Sequence, residues 1–210
     1  MESKLFTPVT FGPLTLRNRT IRSAAFESMC PGNAPSDMLL NYHRSVAAGG
    51  IGMTTVAYAA VTRSGLSFDR QLWMRPEIIP GLRRLTDAVH AEGAAAGIQL
   101  GHCGNMSHKS ICGCTPVGAS GGFNLYSPTF VRGLRADELP ELARAYGRSV
   151  NLAREAGFDA VEIHAGHGYL ISQFLSPATN HRKDEFGGSL QNRMRFMDMV
   201  LEEVMKAAGN

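Results

Sequence analysis

The chain has 210 residues, of which 44% are hydrophobic and 19% charged, a composition that is typical of a globular protein and excludes a disordered one. The net charge of +3 is small and no dense cluster of Lys or Arg occurs, which argues against a nucleic-acid surface. The N-terminus lacks a signal-peptide core and no run approaches the roughly 20 apolar residues of a membrane span, so we expect a cytoplasmic protein. The four cysteines have no disulfide-framework spacing, and we expect them to be reduced thiols.

The N-terminal part of the chain predicts a β-hairpin, a strand and a helix. Phe6 to Asn18 has apolar residues on both sides of Gly12-Pro13, a pattern that is typical of a small hairpin. Thr20 to Phe26 predicts a first strand, and a helix is predicted from about Ser36 to Ala47.

A repeated pattern follows, in which a helix ends in glycine and an apolar strand comes next. This occurs at Gly49-Gly50, at Gly93 and at Gly157. Three later helices are each predicted to carry one apolar face. The helix within Pro76–Glu92 has Ile78, Leu82, Leu85 and Val89 on this face, and the helix within about Asp137–Ala156 has Leu139, Leu142, Ala143, Tyr146 and Val150. The third helix follows the capping residue Ser189 and has Met197, Leu201 and Val204 on its face. Alternating strands and helices with short turns indicate four parallel βα units of an α/β protein.

A cluster of polar side chains follows the last predicted strand, Ala160 to Ile163. His164, His167 and Tyr169 lie within six residues and are interleaved with glycines, which break regular structure and leave them in a loop. Ligands and catalysis in α/β proteins are found at this carboxyl end of the strands. Spacing alone also allows two loop histidines bonded to nearby carbonyls and a tyrosine with a buried ring.

The segment HAGHGYLISQFLSPATNHRKDEFGGSLQNRMRF resembles the signature segment of the Old Yellow Enzyme family, FMN-dependent NADH:flavin oxidoreductases and ene-reductases. A weaker resemblance extends over the rest of the chain. It implies a TIM (β/α)8-barrel, which needs eight strands in roughly 250 residues. We therefore expect residues 1–210 to be a single domain, the N-terminal half of an FMN-binding barrel, with the first four βα units and the N-terminal hairpin.

The resemblance also implies a reaction. A nicotinamide, from NADH or NADPH, would reduce FMN, and reduced FMN would deliver hydride to the β-carbon of an α,β-unsaturated carbonyl compound. His164 and His167 would offer two N–H donors to the carbonyl oxygen, where charge builds up in the transition state. Tyr169 would protonate the α-carbon, since a phenol is a competent proton donor.

The same resemblance assigns the FMN-binding residues. Gln99 would hold the imide edge of the flavin, because an amide offers both a donor and an acceptor, and His164 would also contact the cofactor. The remaining expected contacts are Ala24, Ala25 and Phe26 after the first strand, and Tyr58 and Ala59 after the second. From the residues alone, strand-end packing explains these positions equally well. Asn105 stands where the family usually has arginine.

Two alternatives remain open. His102, Cys103, His108, Cys112 and Cys114 form a soft-ligand cluster that would serve a zinc hydrolase, but the usual C-x2-C pair is absent and we predict no metal site. These residues are expected to line a variable substrate loop over 105–135. The second alternative is that the chain is a catalytically silent half-barrel fragment. Such a fragment would need a complementary half or self-association, because unpaired sheet edges promote association. We expect a homo-oligomer or such an association, with no nucleic acid or membrane as partner.

Overall fold

The computed structural model describes residues 3–209. Short 3-10 turns connect the following elements: β1 Val9–Phe11, β2 Leu14–Leu16, β3 Ile21–Arg22, α1 Asp37–Ala48, β4 Met53–Ala60, β5 Leu72–Trp73, α2 Ile79–Ala91, β6 Ala95–Gly101, α3 Lys109–Cys112, β7 Val117–Gly118, β8 Gly122–Asn124, β9 Thr129–Gly133, α4 Leu139–Glu155, β10 Ala160–Ile163, α5 Leu170–Leu175 and α6 Leu190–Ala208.

The main sheet has the strand order β10-β6-β4-β3, and β5 pairs with β4 outside that path. β3 and β4 are parallel. β10 follows β6 in the same direction, because Asp159 N–H donates to Ala96 O before the strand and His164 N–H donates to Leu100 O after it. Each of the four neighbouring strands is followed along the chain by a long helix, α1, α2, α4 and α6 in turn. The prediction of four parallel βα units is confirmed.

The described chain divides into two compact units. The first comprises residues 3–59, 70–99 and 152–162, and its core contains the fully buried Leu39, Leu82, Leu85 and Val89 from α1 and α2. The second comprises residues 60–69, 100–151 and 163–209. Its core contains Tyr146 of α4 and the Phe174 and Phe196 rings of α5 and α6, whose centroids lie 4.7 Å apart.

The predicted N-terminal hairpin is present as the antiparallel pair β1 and β2. Arg17, which follows β2 directly, anchors it to the first unit. Its guanidinium donates to Ile51 O at 2.9 Å, to Glu92 O at 2.7 Å and to Ala47 O at 2.5 Å. Two of these carbonyls lie at the C-terminal ends of α1 and α2, where a cation also complements the helix dipole.

The first strand is shorter than the prediction of Thr20 to Phe26. Pairing with β4 stops after Arg22 because the carboxylate of Glu27 replaces the strand as hydrogen-bond partner. Glu27 accepts the backbone N–H of Ala57 at 3.2 Å and forms an ion pair with Arg22 at 2.9 Å. The backbone donor that a longer strand would have bonded is therefore satisfied by a side chain.

Two segments for which no helix or strand was predicted contain regular structure. The residues after Tyr169 form the helix α5, and the segment 105–135 contains α3 and a three-stranded sheet of order β7-β9-β8. These elements are two to six residues long, which is too short for a periodic apolar pattern to be recognised among Gly, Ser and Pro. The hairpin of β8 and β9 carries the edge-to-face ring pair of Phe123 and Phe130.

The predicted apolar faces of α2 and α4 are confirmed, whereas that of α6 is partly wrong. Its buried residues are Phe196, Val200 and Val204, four positions apart, while Leu201 is exposed. Ser189 caps this helix as predicted, because its side chain accepts the N–H of Asn192. Within residues 3–209, neither α6 nor any other helix is long and apolar enough to cross a membrane.

We predict that Arg17→Met lowers the free energy of unfolding by about 2–3 kcal/mol, because three carbonyls lose a charged donor. Arg19→Met is the matched control, since Arg19 is exposed and should change stability by less than about 0.5 kcal/mol. Urea denaturation of both variants measures the difference. Equal midpoints for the two variants would contradict the anchoring role of Arg17.

Candidate active site

The loop after β10 is built by backbone bonds at both ends. His164 N–H donates to Leu100 O and Leu170 N–H donates to His102 O, each at 2.9 Å, so the loop runs beside the end of β6. Inside it, Tyr169 N–H donates to Gly166 O at 3.0 Å and closes a turn. His167 has φ of +55°, a left-handed conformation that is uncommon for a residue with a Cβ and recurs at functional sites.

The structure brings His164 and His167 into direct contact. His164 Nε2 and His167 Nδ1 lie 3.0 Å apart, and the rings meet edge to face with centroids 5.0 Å apart. Gly166 N–H donates to His164 Nδ1 at 3.1 Å, so this nitrogen carries no proton and Nε2 is the donor toward His167. When both imidazole rings are neutral, the one ring N–H group left to donate elsewhere is therefore at Nε2 of His167. This differs from the expected arrangement, in which both rings offer an outward N–H side by side.

Tyr169 completes the group. Its ring stacks on the His164 ring with centroids 4.8 Å apart, and its hydroxyl lies 3.2 Å from Ser67 Oγ. Burial raises the pKa of the Tyr169 phenol above its ordinary value, and the hydrogen bond with Ser67 opposes this rise. Ser67 could not be recognised from a sequence pattern, because it lies 102 positions earlier in the chain.

Gln173 of α5 is a second residue that the sequence did not reveal. Its side chain is 1% exposed. The amide nitrogen donates to Cys103 O, Asn105 Oδ1 and Gly168 O at 2.6–3.1 Å, and Oε1 accepts the N–H of Asn105 at 3.2 Å. One carboxamide therefore connects the loop of His167 to the segment that follows β6.

A cavity of about 490 Å³ adjoins His167 in the second unit. Its lining combines apolar and aromatic side chains with a few polar groups, and includes Met106, Phe123, Tyr126, Val131, His167 and His181. A mostly apolar chamber with a donor at one end is the usual form of a small-molecule site. The hairpin of β8 and β9 supplies much of this lining, so the segment predicted as a variable substrate loop contributes to the cavity.

Gln99 lies in β6 of the first unit, and its amide is oriented by a neighbour. Its Nε2 donates to Glu162 Oε1 of β10 at 2.5 Å. Within residues 3–209, Gln99 Oε1 has no hydrogen-bond partner. Glu162 was not identified from the sequence, because one carboxylate in a short strand carries no recognisable pattern.

Five further residues expected at the cofactor also belong to the first unit, whereas His164 belongs to the second. Ala24, Ala25 and Phe26 form an irregular segment after β3, in which Phe26 is half exposed. On β4, Thr54 bonds to His43 of α1, so side chains alternating with it, including that of Tyr58, face the helix side. The side chain of Ala59 faces the opposite side of the sheet. A ligand on the side of the sheet that Ala59 faces could therefore contact the backbone of Tyr58 but not its side chain.

The histidines of the cluster at residues 102–114 are engaged in separate hydrogen bonds. His102 is buried with its Nδ1 accepting Gly104 N–H, and burial lowers its pKa to about 3. His108 bonds to Ser127 at 2.7 Å. In the part of the chain that the structure describes, no group of three or more His, Cys, Asp or Glu side chains is arranged to hold a metal ion.

Comparison with known proteins identifies the family. A family model described as NADH:flavin oxidoreductase / NADH oxidase matches residues 4–210. The chain belongs to this family. Its members use FMN, so the flavin-dependent identification made from the signature segment is confirmed.

Three relatives illustrate the match. The 4,4′-dithiodibutanoate disulfide reductase of Rhodococcus erythropolis is 44% identical over 98% of this chain and 51% of that protein. The NADPH dehydrogenase of Bacillus subtilis strain 168 is 37% identical over 97% of this chain and 60% of that protein. The solved structure of the Old Yellow Enzyme homologue from Zymomonas mobilis superposes with a TM-score of 0.91 and 30% identity, covering 99% of this chain and 61% of that chain.

The chain therefore spans between half and three fifths of the length of these relatives. Its parallel sheet corresponds to the N-terminal part of a TIM barrel of the Old Yellow Enzyme type, which confirms the predicted fold class. The segment that resembles the family's signature begins with the loop after β10.

We predict that Gln173→Leu increases backbone hydrogen exchange in 103–106 and 164–169 by about tenfold or more, because buried carbonyls and an N–H lose their partner. Gln191→Leu on the exposed side of α6 is the matched control and should leave both peptides unchanged. Exchange measured by mass spectrometry decides the outcome. Equal exchange in the two variants would show that Gln173 does not hold the loop.

We predict that Ser67→Ala raises the pKa of Tyr169 further, because the hydrogen bond from Ser67 lowers it in the parent protein. Ser64→Ala, which leaves the hydroxyl partner of Tyr169 in place, should not move this pKa. Titration of 13C-labelled tyrosine, with Tyr169→Phe to assign the signal, provides the measurement. A fall or no change in the Ser67 variant would contradict the contact.

Proposed function

We propose that this chain supplies the catalytic loop of an FMN-dependent NAD(P)H oxidoreductase that reduces the C=C bond of α,β-unsaturated carbonyl compounds. The observation that carries the proposal is the contact of His164, His167 and Tyr169 in one loop, with a defined order of donors and acceptors. Family membership supports the redox chemistry, and the geometry supports the roles of the three side chains.

His167 would hold the substrate oxygen. Its Nε2–H is the remaining donor of the neutral pair, and it belongs to a residue that lines the adjoining cavity. His164 would act behind it, because its own Nε2–H donates to His167 Nδ1 and fixes the tautomer that presents the donor. A preorganised donor stabilises charge that develops on the oxygen without having to reorient.

Tyr169 would deliver the proton to the α-carbon. A half-buried phenol with a raised pKa stays protonated at neutral pH, which keeps the acid form available. Ser67 holds the hydroxyl, so the direction of proton delivery is restricted before the substrate binds. The stacking of the phenol on His164 would keep the proton donor next to the residue that orients the oxygen-binding His167.

The residues of the first unit fit the flavin in one specific respect. With Nε2 committed to Glu162, Gln99 presents a carbonyl oxygen that would accept the imide N–H of an isoalloxazine ring. The backbone at Ala24, Ala25, Phe26, Tyr58 and Ala59, together with His164, would form the rest of the cofactor contacts. When bound, FMN supplies hydride transfer between NAD(P)H and the substrate.

The substrate would have an apolar or aromatic body beyond its carbonyl group, because the cavity beside His167 is lined mainly by such side chains. A second substrate class is favoured by the 44% identity to a relative named for reduction of 4,4′-dithiodibutanoate.

The four free cysteines favour a reducing compartment, and we include a cytoplasmic location and association between copies in the proposal.

The first test is whether the purified chain binds FMN and turns yellow, and whether it then oxidises NADPH or NADH in the presence of 2-cyclohexenone. Parallel assays with 4,4′-dithiodibutanoate distinguish the two substrate classes. A colourless, oligomeric and inactive chain would contradict the proposal for this polypeptide and support a silent half-barrel that needs a complementary half.

For an active preparation, we predict that His167→Ala lowers kcat/KM for the enone on the order of 10²–10³-fold, because the oxygen loses its donor. Tyr169→Phe should lower it about 10²–10⁴-fold through loss of the proton donor. His90→Ala is the control, since His90 bonds to Asp159 in the first unit and has no role in the mechanism. Equal activities of the three variants would contradict the assigned roles.

A further inference from the structure

Two cysteines that the proposed reaction does not use face each other at the end of α3. Cys112 Sγ and Cys114 Sγ lie 3.6 Å apart. Gly113 between them ends the helix with φ of +75°, a left-handed turn that a residue with a Cβ adopts only with strain. The turn places both thiols on one side, and a disulfide would require the sulfur atoms to approach to about 2.05 Å.

The two thiols differ in accessibility. Cys112 is buried, whereas Cys114 is half-buried and lines a second cavity, of about 390 Å³, in the second unit. Thr115, Val117 and Arg132 also line this cavity. A small molecule that enters it therefore meets Cys114, and Cys112 lies behind within reach of the Cys114 sulfur.

The surroundings of Cys114 are basic. The guanidinium of Arg63 covers the turn, 3.1 Å from the position that a Cβ on Gly113 would occupy. Arg132 is nearby but is committed to Glu138 by two bonds of 2.7 and 2.9 Å. Within residues 3–209, Arg63 has no ion pair, so its charge is available to an anionic molecule at this surface.

These surroundings act on the Cys114 thiol in opposite directions. Burial, as the largest cause, and the contact with Cys112 raise the pKa of Cys114 above its ordinary value, and the charges of Arg63 and Arg132 offset only part of this rise. The other two cysteines are not comparable. Burial raises the pKa of Cys30 to about 12 and that of Cys103 well above its ordinary value, and both side chains are enclosed.

We propose that Cys112 and Cys114 are a redox-active dithiol that reduces small organic disulfides carrying a negative charge. The Cys114 thiolate attacks one sulfur of the disulfide, forming a mixed disulfide and releasing the first thiolate. The Cys112 thiol loses its proton to solvent and attacks Cys114 Sγ, which forms the Cys112–Cys114 bond and releases the second thiolate. The cysteine pair loses two electrons and two protons, and the organic disulfide gains them as two thiols.

This dithiol reaction involves neither flavin nor nicotinamide. Its outcome is therefore independent of the function proposed above, and the test is performed without NADPH or NADH. An external thiol such as dithiothreitol returns the pair to its reduced form.

The experiment treats the reduced, desalted chain with oxidised glutathione, quenches with acid and maps the tryptic peptide 110–132, in which Cys112 and Cys114 are the two cysteines. The expected result is loss of two hydrogens in this peptide, reversed by dithiothreitol. A peptide that stays fully reduced, or that keeps a stable glutathione adduct in the parent chain, would overturn the proposal. This measurement on the parent chain does not depend on how the variants fold.

The order of the two thiols is tested by substitution. Cys112→Ser should accumulate the glutathione adduct on Cys114, since no second thiol resolves it. Cys114→Ser should leave Cys112 unmodified on the same timescale, because Cys112 is buried. Modification of Cys112 at the parental rate in the Cys114→Ser chain would reject the assigned order.

The preference for a negative charge is tested at Arg63. We predict that Arg63→Ala slows oxidation by oxidised glutathione about threefold or more at low salt and leaves oxidation by bis(2-hydroxyethyl) disulfide unchanged. Arg44→Ala, at an exposed position on α1, is the control and should change neither rate. An equal loss of rate with both reagents would refute recognition of the charge.

Discussion

The buried carboxamide of Gln173 is the constraint on which the loop of His164, His167 and Tyr169 depends. The loop after β10 has few backbone bonds of its own, and its carbonyl groups would be costly to bury unpaired. Gln173 bonds to the backbone of Gly168, Cys103 and Asn105, and so joins two loops that separate strands supply. Gly104 fits beside it only because it lacks a Cβ, which would overlap the carboxamide. The position of the loop thus depends on a residue that is 1% exposed and has no part in the proposed mechanism.

Backbone geometry also determines the protonation pattern of the histidine pair. The N–H of Gly166 selects the tautomer of His164, and His164 in turn selects that of His167. The left-handed conformation of His167 allows its ring to fold back onto His164. A change in the glycine-containing turn would therefore alter which nitrogen carries a proton, without replacing any of the side chains that the proposed mechanism uses. The electrostatics of the site are set by the local fold.

Features governed by neighbours in sequence could be predicted, and those that arise from distant contacts could not. Glycine-terminated helices, the apolar faces of α2 and α4 and the polar cluster after β10 were recognisable because each has a local pattern. The end of β3 depends on a carboxylate, Glu27, which bonds to a backbone N–H 30 positions later. Ser67 and Gln173 acquire their roles from partners 102 and 68 positions away. Leu201 fits the helical period, but that face of α6 is not covered within residues 3–209.

The three carbonyls bound by Arg17 also have a consequence for the order in which the molecule can assemble. They lie 30, 34 and 75 positions after it in the chain. During synthesis from the N-terminus, the last of the three bonds can form only after the end of the second long helix has left the ribosome. The N-terminal hairpin can form by itself at an early stage, since its pairing is local, but its anchor is complete only after that helix has been made. The segment made first therefore pairs its own strands before it becomes fully fixed in place.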